Sequence, residues 1–424
     1  MKLCVMGLGY IGLPTAVMFA KYGVEVLGVD VNEAVIKKLK NRELHIEEPG
    51  LEELMAEVMD TGLLKLSTEP EHANAFIIAV PTPINRDKTA NLDYVKGATE
   101  MITPFVQSGN LIILESTVPP KTVENVMIPI LEKSGLAIGK DLFISHSPER
   151  VMPGNLFEEL VSNDRIVGGI NERSSQMTVE LYKRFVKGTI HVTDSTTAEM
   201  VKLMENTYRD INIAFANELA RIAETVGFNV WEAIDLANCH PRVNIHKPGP
   251  GVGGHCIAVD PWFIIEQAPM ESKLISLSRD INETTPHHVS GQVEELVKDK
   301  DQPVVTLLGL AFKGNIDDMR ESPSLEIIDN LSKKELQLKI FDPHVVEEMD
   351  GKVATIEEAV TGSDCVVILT DHHKFKTLDY QKIKELMRTP VIYDTRNLLN
   401  EEELKDYGYI YNPIGAPMKR TRYV

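Results

Sequence analysis

One cysteine of the chain stands in a setting that could make it a nucleophile. The run Pro248-Gly249-Pro250-Gly251-Val252-Gly253-Gly254-His255-Cys256-Ile257-Ala258-Val259-Asp260-Pro261 gathers four glycines and three prolines around it. Glycine permits a positive φ and the close approach of another group, while proline stiffens the flanks. Asp260-Pro261 is a helix-start pair, with Asp as N-cap and Pro at the first helical position. Cys256 then falls on a tight turn just before a helix N-terminus, which favours thiolate over thiol. The alternative on these residues alone is a structural loop holding a small buried thiol. Lys202 and Asn206 lie four apart within a helical pattern, so their side chains project together. A solvated pair on a helix surface would show the same spacing.

A second chemistry is written at the start of the chain. Lys2 to Met6 is a short apolar strand that runs directly into Gly7-Leu8-Gly9-Tyr10-Ile11-Gly12. A periodic helix from Leu13 to Tyr22 ends at Gly23, and Val24 to Val29 forms a strand closing on Asp30. Glycines after a strand, a helix opening on them and an acid about 20 residues on make the βαβ dinucleotide fingerprint. The pyrophosphate would rest on the helix N-terminus, and Asp30 would accept from a ribose 2′-OH, which favours NAD over NADP.

The elements that must position these groups follow in order. Strands ending at Val80, Leu114 and Ser145 lead into Pro81-Thr82-Pro83, Glu115-Ser116-Thr117 and His146-Ser147-Pro148-Glu149-Arg150. Open parallel sheets bind ligands beyond their strands' carboxyl ends, so Thr82, Thr117 and Glu149 are expected along one crevice near the cofactor. Singly, each could equally cap a turn. The loop from Asn85 to Asn91 reads as polar surface. Thr196 and Glu199 read as a capping box, and Gly227 as a stop, so a helix of about eight turns is expected between them. Its stripe of Val201, Met204, Tyr208, Ile211, Phe215 and Ile222 is built for packing, and a helix this long suggests a spine and dimer interface.

Beyond the cysteine loop, a helical region from about Ser272 to Lys298 precedes a second α/β segment. Its strands are expected at Val304–Leu308, Leu338–Asp342, Cys365–Leu369 and Val391–Asp394, with Ser322-Pro323 as a helix start. This half repeats the βαβ layout without the glycine fingerprint. Lys313, Arg320 and Arg396 follow its strand ends, where cations could meet phosphates. Lys419-Arg420-Thr421-Arg422 reads as a solvated tail. The 424 residues therefore divide as an α/β protein with two Rossmann-like parallel-sheet domains, 1–195 and 299–424, joined by a long central helix and an all-α middle domain, 196–298.

Composition narrows the partners. A net charge of −19, from 44 basic and 63 acidic residues, gives no general attraction for nucleic acid or anionic membrane. No apolar run reaches the length of a membrane span, and Met1 to Gly7 lacks the pattern of a signal peptide. Four scattered cysteines (Cys4, Cys239, Cys256, Cys365) form no C-x-x-C pair, so neither a disulfide framework nor a metal site is indicated. A cytoplasmic protein is expected.

Taken together, the chain resembles the UDP-glucose/GDP-mannose dehydrogenases over nearly its whole length. The resemblance is carried by Gly7-x-Gly9-x-x-Gly12, Val80-Pro81-Thr82-Pro83, Ser116-Thr117-Val118, Ser147-Pro148-Glu149-Arg150, Lys202-x-x-x-Asn206-x-x-Arg209, Gly253-Gly254-His255-Cys256, Asp260, Phe312-Lys313 and Arg320-Glu321-Ser322. The wordings Arg150-Val151-Met152-Pro153-Gly154, His240-Pro241-Arg242-Val243-Asn244 and His255 through Phe263 are most similar to the branch acting on UDP-N-acetyl-D-mannosamine. The glucose enzymes typically carry serine where His255 stands.

The resemblance implies an NAD-dependent, four-electron oxidation of a UDP-sugar at C6, through a thiohemiacetal and then a thioester on Cys256. It implies oxyanion donors in Lys202 and Asn206, Asp260 as the partner of Lys202 or of a water, and Glu149 assisting hydrolysis, with Thr117 nearby. The cofactor would be held by Gly7, Gly9, Tyr10, Ile11, Gly12, Asp30, Thr82, Thr117 and Arg320. The substrate would meet Glu149, Arg150, Val151, Lys202, Asn206, Arg209, Arg242, Gly253 and Lys313, with Arg242 reaching in from a neighbouring subunit of a homodimer or a dimer of dimers. Arg396 matches only loosely, and the role of His255 stays open. UDP-GlcNAc, UDP-GalNAc and UDP-glucose are alternative substrates. A two-electron hydroxy-acid dehydrogenase would need no such cysteine, and an inactive NAD-binding scaffold would need none of these residues together.

Overall fold

The computed structural model describes residues 1–46, 48–151 and 154–419. The backbone gathers into two compact units, one formed by Met1–Glu205 with Trp262–Pro269, the other by Asn206–Pro261 with the chain from Met270 on.

The first unit is built on eight strands: β1 (Lys2–Met6), β2 (Glu25–Val29), β3 (Leu64–Ser67), β4 (Ala75–Ile78), β5 (Leu111–Leu114), β6 (Phe143–His146), β7 (Arg165–Gly169) and β8 (Ile190–Asp194). Their order is β3-β2-β1-β4-β5-β6-β7-β8, parallel except where β7 runs antiparallel to β6. Alternation along β1 feeds two cores. Leu3 and Val5 pack with Val17 and Phe19 on one face, while Cys4 and Met6 pack with Phe76 and Ile78 on the other. The strand order reverses direction between β1 and β4, and there the glycine turn opens.

The second unit carries five parallel strands: β9 (Val304–Leu308), β10 (Gln337–Phe341), β11 (Cys365–Ile368), β12 (Val391–Asp394) and β13 (Ile410–Pro413), in the order β10-β9-β11-β12-β13. Val305 and Leu307 face Val289 and Val293 of the helix Lys273–Val297, and Leu308, Val366 and Ile368 face Phe375 and Tyr380. Two sheets of parallel type with helices Ser195–Val226, Val230–Asn238, Asp260–Gln267 and Lys273–Val297 between them in sequence match the expected class. Strands β3, β7, β8 and β13 were not legible in the pattern. Among the described residues no helix is long and apolar enough to cross a membrane.

The long helix corrects one expectation. It runs Ser195–Val226, 32 residues and about nine turns, so Thr196 lies inside it. Asp194 holds its start, accepting from the backbone N–H of Thr197 at 2.9 Å and from its hydroxyl at 2.6 Å. Glu199 does not close a capping box. Its carboxylate instead accepts the backbone N–H groups of Lys121 and Val123 at 2.5 and 2.8 Å, a tertiary use of the same acid. The apolar stripe is also not covered within the chain: Met204, Tyr208, Phe215 and Ile222 are 44 to 60% exposed.

Candidate functional site

In the first unit, the glycine turn is shaped by close approach. Gly7 takes φ +90°, and a Cβ on it would stand 2.6 Å from the carbonyl oxygen of Ala79. A Cβ on Gly12 would fall 1.9 Å from the carbonyl oxygen of Gly7, so the helix Gly12–Lys21 can lie this near the turn only with glycine there. Gly9 is different, since a Cβ there would meet nothing within 4 Å. Tyr10 and Ile11 are half-buried, and Ile11, at the N-cap, gives no side-chain hydrogen bond to the helix. Leu13 N–H donates to the Gly9 carbonyl at 3.1 Å and Pro14 carries no N–H, so an anion at this helix N-terminus would meet the N–H groups of Ile11 and Gly12, which no side chain caps.

Asp30 ends the next strand half-buried. One carboxylate oxygen accepts from Leu8 N–H at 3.0 Å and the other from Asn32 N–H at 2.9 Å, leaving lone pairs on both. These features fit an NAD adenosine and pyrophosphate. His45, which no sequence motif marked, stands beside Leu8 and Asp30, and burial holds its imidazole below the usual range. Thr82 and Thr117 meet as expected, the Thr82 hydroxyl donating to the Thr117 carbonyl at 2.6 Å.

Glu149 is buried in a network that the sequence did not announce. Its carboxylate accepts from Arg165 Nη1 at 3.0 Å and from the Arg150 N–H at 2.7 Å. Arg165 also donates through Nη2 to Glu115 at 2.6 Å and through Nε to the Ser147 hydroxyl at 2.9 Å. Its guanidinium lies 3.7 Å from the centre of the Tyr182 ring, and the Tyr182 hydroxyl donates to Glu115. Thr15 adds a donor to Glu115 at 3.3 Å. Burial raises the Glu115 carboxyl to about 7, with Arg165 opposing the rise and Glu149 adding to it. Burial likewise raises Glu199 to about 7. A raised carboxyl keeps its proton in the fold after the unfolded chain has released it. Both groups therefore make stability fall as pH climbs from about 4.5 to 7.

Arg150 pairs with Glu205 at 2.6 Å, and Val151 packs its side chain against the first core. Met152 and Pro153 lie outside the described residues, as do residues 420–422 of the basic tail, whose Lys419 N–H bonds Asn412. The loop from Asn85 to Asn91 is more than surface. Lys88 Nζ sits 5.3 Å over the Trp262 ring, and the Ala90 N–H donates to Glu266 at 3.0 Å.

In the second unit, Cys256 is exposed on a turn, with the N–H groups of Val259 and Asp260 bonded to its carbonyl at 3.0 and 2.8 Å. The helix Asp260–Gln267 starts at Asp260 itself. The Asp260 carboxylate, 3% exposed, accepts from Asn206 Nδ2 at 2.6 Å, which ties the long helix to the helix after the cysteine. Cys4 and Cys365 are fully buried, and burial pushes both thiols up to about 12. They are inert core residues.

The glycines of the cysteine loop lie on the loop that follows β9. A Cβ on Gly253 would stand 2.7 Å from both the Glu321 carbonyl oxygen and Phe312 Cβ, and one on Gly254 3.0 Å from the Phe312 ring. The Gly254 N–H donates to the Arg320 carbonyl at 3.1 Å. Arg320 itself is held by Asp318, with Nη2 at 2.6 Å. Burial, then the Arg320 charge, keep His255 below the usual imidazole range although its edge is exposed, so it is neutral at neutral pH. Arg396 is brought to this loop too, with Nη1 3.2 Å from where a Gly249 Cβ would lie and Nε donating to the Leu369 carbonyl at 2.9 Å. Lys313, Arg209 and Arg242 are exposed. Lys202 is half-buried, one turn before the buried Asn206. Among the described residues no cluster of three or more histidine, cysteine or acidic side chains could hold a metal ion.

Comparison with known proteins finds one family over most of the chain. Residues 1–186 match the NAD binding domain of the UDP-glucose/GDP-mannose dehydrogenase family, 196–284 its central domain and 306–401 its UDP binding domain. The chain is 46% identical over 423 residues to a UDP-N-acetyl-D-mannosamine dehydrogenase of Methanococcus vannielii, covering 98% of this chain and 97% of that one. It is 44% identical to an NDP-N-acetyl-D-galactosaminuronic acid dehydrogenase of Ralstonia solanacearum, covering 95 and 97%. Among solved structures, a UDP-D-ManNAc dehydrogenase of Pyrococcus horikoshii superposes with a TM-score of 0.92 at 42% identity, covering 98 and 99%.

Proposed function

Because the chain belongs to the UDP-glucose/GDP-mannose dehydrogenase family, we propose that it oxidises the C6 hydroxyl of UDP-N-acetyl-D-mannosamine to the carboxylate, using two NAD⁺ and one water and releasing two NADH and three protons. The observation that carries the covalent course is the exposed Cys256 thiol on a glycine-packed turn; Cys4 and Cys365 are sealed in cores, and Cys239, also exposed, closes the helix Val230–Asn238 with its thiol donating to the Asp235 carbonyl at 3.4 Å. The sugar rests on likeness to proteins named for UDP-N-acetyl-D-mannosamine over nearly the full length. A galactosaminuronate-type substrate is the second reading, favoured by the Ralstonia relative at similar identity.

NAD⁺, when bound, supplies two successive hydride acceptors. Gly7, Gly9, Tyr10, Ile11, Gly12, Asp30, Thr82, Thr117 and Arg320 are the residues assigned to hold it. Cys256 adds to the C6 aldehyde left by the first oxidation, forming a C–S bond and a thiohemiacetal. The second oxidation leaves a thioester on the same sulfur. Lys202 and Asn206 donate to the negative oxygen of these adducts, each such donor worth about 3 kcal/mol. Asp260 orients Asn206 and takes part in proton transfer. Glu149 removes a proton from the water that attacks the thioester, and the C–S bond breaks to return the Cys256 thiolate. Arg150, Val151, Arg209, Arg242, Gly253 and Lys313 are assigned to the UDP-sugar. A division at 1–195, 196–298 and 299–424, a cytoplasmic setting and a homodimer complete the reading. The exposed stripe from Met204 to Ile222 is the face a second copy would cover.

Stoichiometry tests the proposal. With UDP-N-acetyl-D-mannosamine and NAD⁺, NADH should form at two per sugar, and Cys256→Ala should release no uronate. Undiminished uronate from that variant would overturn the covalent role. One NADH per sugar would mark an ordinary alcohol dehydrogenase.

A further inference from the structure

We propose that Arg165 is a positioning residue that divides its charge between Glu149 and Glu115, so that a proton on Glu115 weakens Glu149 as the base for thioester hydrolysis. The inference rests on the reading of Glu149 as that base. Arg165 lies at the start of β7 with its side chain 5% exposed, and all three of its guanidinium nitrogens are engaged. Two carboxylates therefore share one largely buried cation, and the pair cannot both ionise freely there.

The groups that face Glu115 come from four elements. Arg165 reaches it from β7, Tyr182 from the helix Glu172–Tyr182, and Thr15 from the helix Gly12–Lys21. Glu149, from the segment after β6, acts on it through Arg165. His146 pairs in register with Leu114, next to Glu115, and is fully buried. Burial lowers its imidazole to about 3, so it adds no charge at neutral pH. Glu115 is the group of this set whose proton is exchanged near neutrality.

The direction follows from charge. With Glu115 protonated, Arg165 is left wholly to Glu149, whose carboxylate is then stabilised and a weaker base. When Glu115 ionises, it draws on Arg165 and places a negative charge near Glu149, whose affinity for a proton rises. Hydrolysis should therefore quicken as pH rises through neutrality, by about three- to tenfold for each unit gained in basicity. The Tyr182 hydroxyl and Thr15 favour the ionised form of Glu115 by donating to it.

The test follows decay of the acyl adduct on Cys256, by acid quench and intact-mass measurement after mixing enzyme with UDP-N-acetyl-D-mannosamine and NAD⁺, from about pH 5.5 to about 8.5. In the wild type, decay should speed up across neutrality and level off. Glu115→Gln should abolish that rise and leave the slow limb. Tyr182→Phe, which removes a donor to Glu115, should move the rise to higher pH, and decides the matter if the first variant does not fold. A wild-type profile in either folded variant would overturn the proposal. Glu149→Gln separates the two readings. If it hydrolyses the adduct normally, the base assignment itself fails; if it stalls by about a hundredfold while Glu115→Gln keeps the wild-type profile, only the Arg165 proposal fails.

Discussion

In the first sheet β1 runs into Met6-Gly7-Leu8-Gly9-Tyr10, and in the second β9 runs into Leu308-Gly309-Leu310-Ala311-Phe312. Both turns use a left-handed glycine, Gly7 at φ +90° and Gly309 at φ +103°. In both, the next N–H donates to an aspartate ending the neighbouring strand, Leu8 to Asp30 at 3.0 Å and Leu310 to Asp342 at 2.6 Å. There the likeness stops. Asp30 accepts two N–H groups and stays half-exposed. Asp342 is buried and accepts from Leu310, Ala311, His344 and Val345 N–H and from His372 Nε2.

The helices differ in the same sense. The first opens at Gly12 with no side-chain cap, while the second opens ten residues after its turn on Ser322, whose hydroxyl accepts from the Ser324 N–H. The first turn leaves lone pairs on Asp30 and no side-chain cap on its helix, while the aspartate and helix start of the second are both taken up by the protein.

The comparison breaks most readily at the two aspartates. Asp342→Ala leaves several buried donors without an acceptor and should cost about 3 kcal/mol or more in equilibrium unfolding, with loss of the second unit's signal. A cost below about 1 kcal/mol would show that Asp342 is not the structural acid described. Burial alone would raise Asp342, but His372 and the backbone donors hold it well below the ordinary range. Its contribution is thus present above the ordinary carboxylate pKa and is lost as pH falls toward the lowered value. Asp30→Ala should act on the ligand, weakening NAD⁺ about tenfold by titration, with a smaller effect on unfolding. Unchanged affinity would remove the ribose assignment. The smallest effect is expected from Ser322→Ala, about 1 kcal/mol on the second unit with NAD⁺ affinity untouched, measured by denaturant midpoint and titration together.

Much of this was legible in the chain. The glycine fingerprint, strands β1, β2, β5, β9 and β12, the helix start at Ser322 and the turn at Cys256 obey rules that act over a few residues. Those rules are allowed φ, alternation of apolar side chains, and the chemistry of caps. Glu199 shows where they end: it has the spacing of a capping box, yet it serves Lys121 and Val123, 78 and 76 residues away. Arg165 carried no local signal at all, because its partners stand 16, 18 and 50 residues off in sequence.

The sequence by itself determined the class of fold, the dinucleotide turn and the glycine-rich turn that carries Cys256, since each is written in neighbouring residues whose backbone and side-chain preferences coincide. Tertiary structure alone decided which acids remain open to a ligand and which are consumed. Two aspartates after similar turns, and three glutamates with no distinguishing neighbours, acquire different roles through burial and through the donors that folding brings to them.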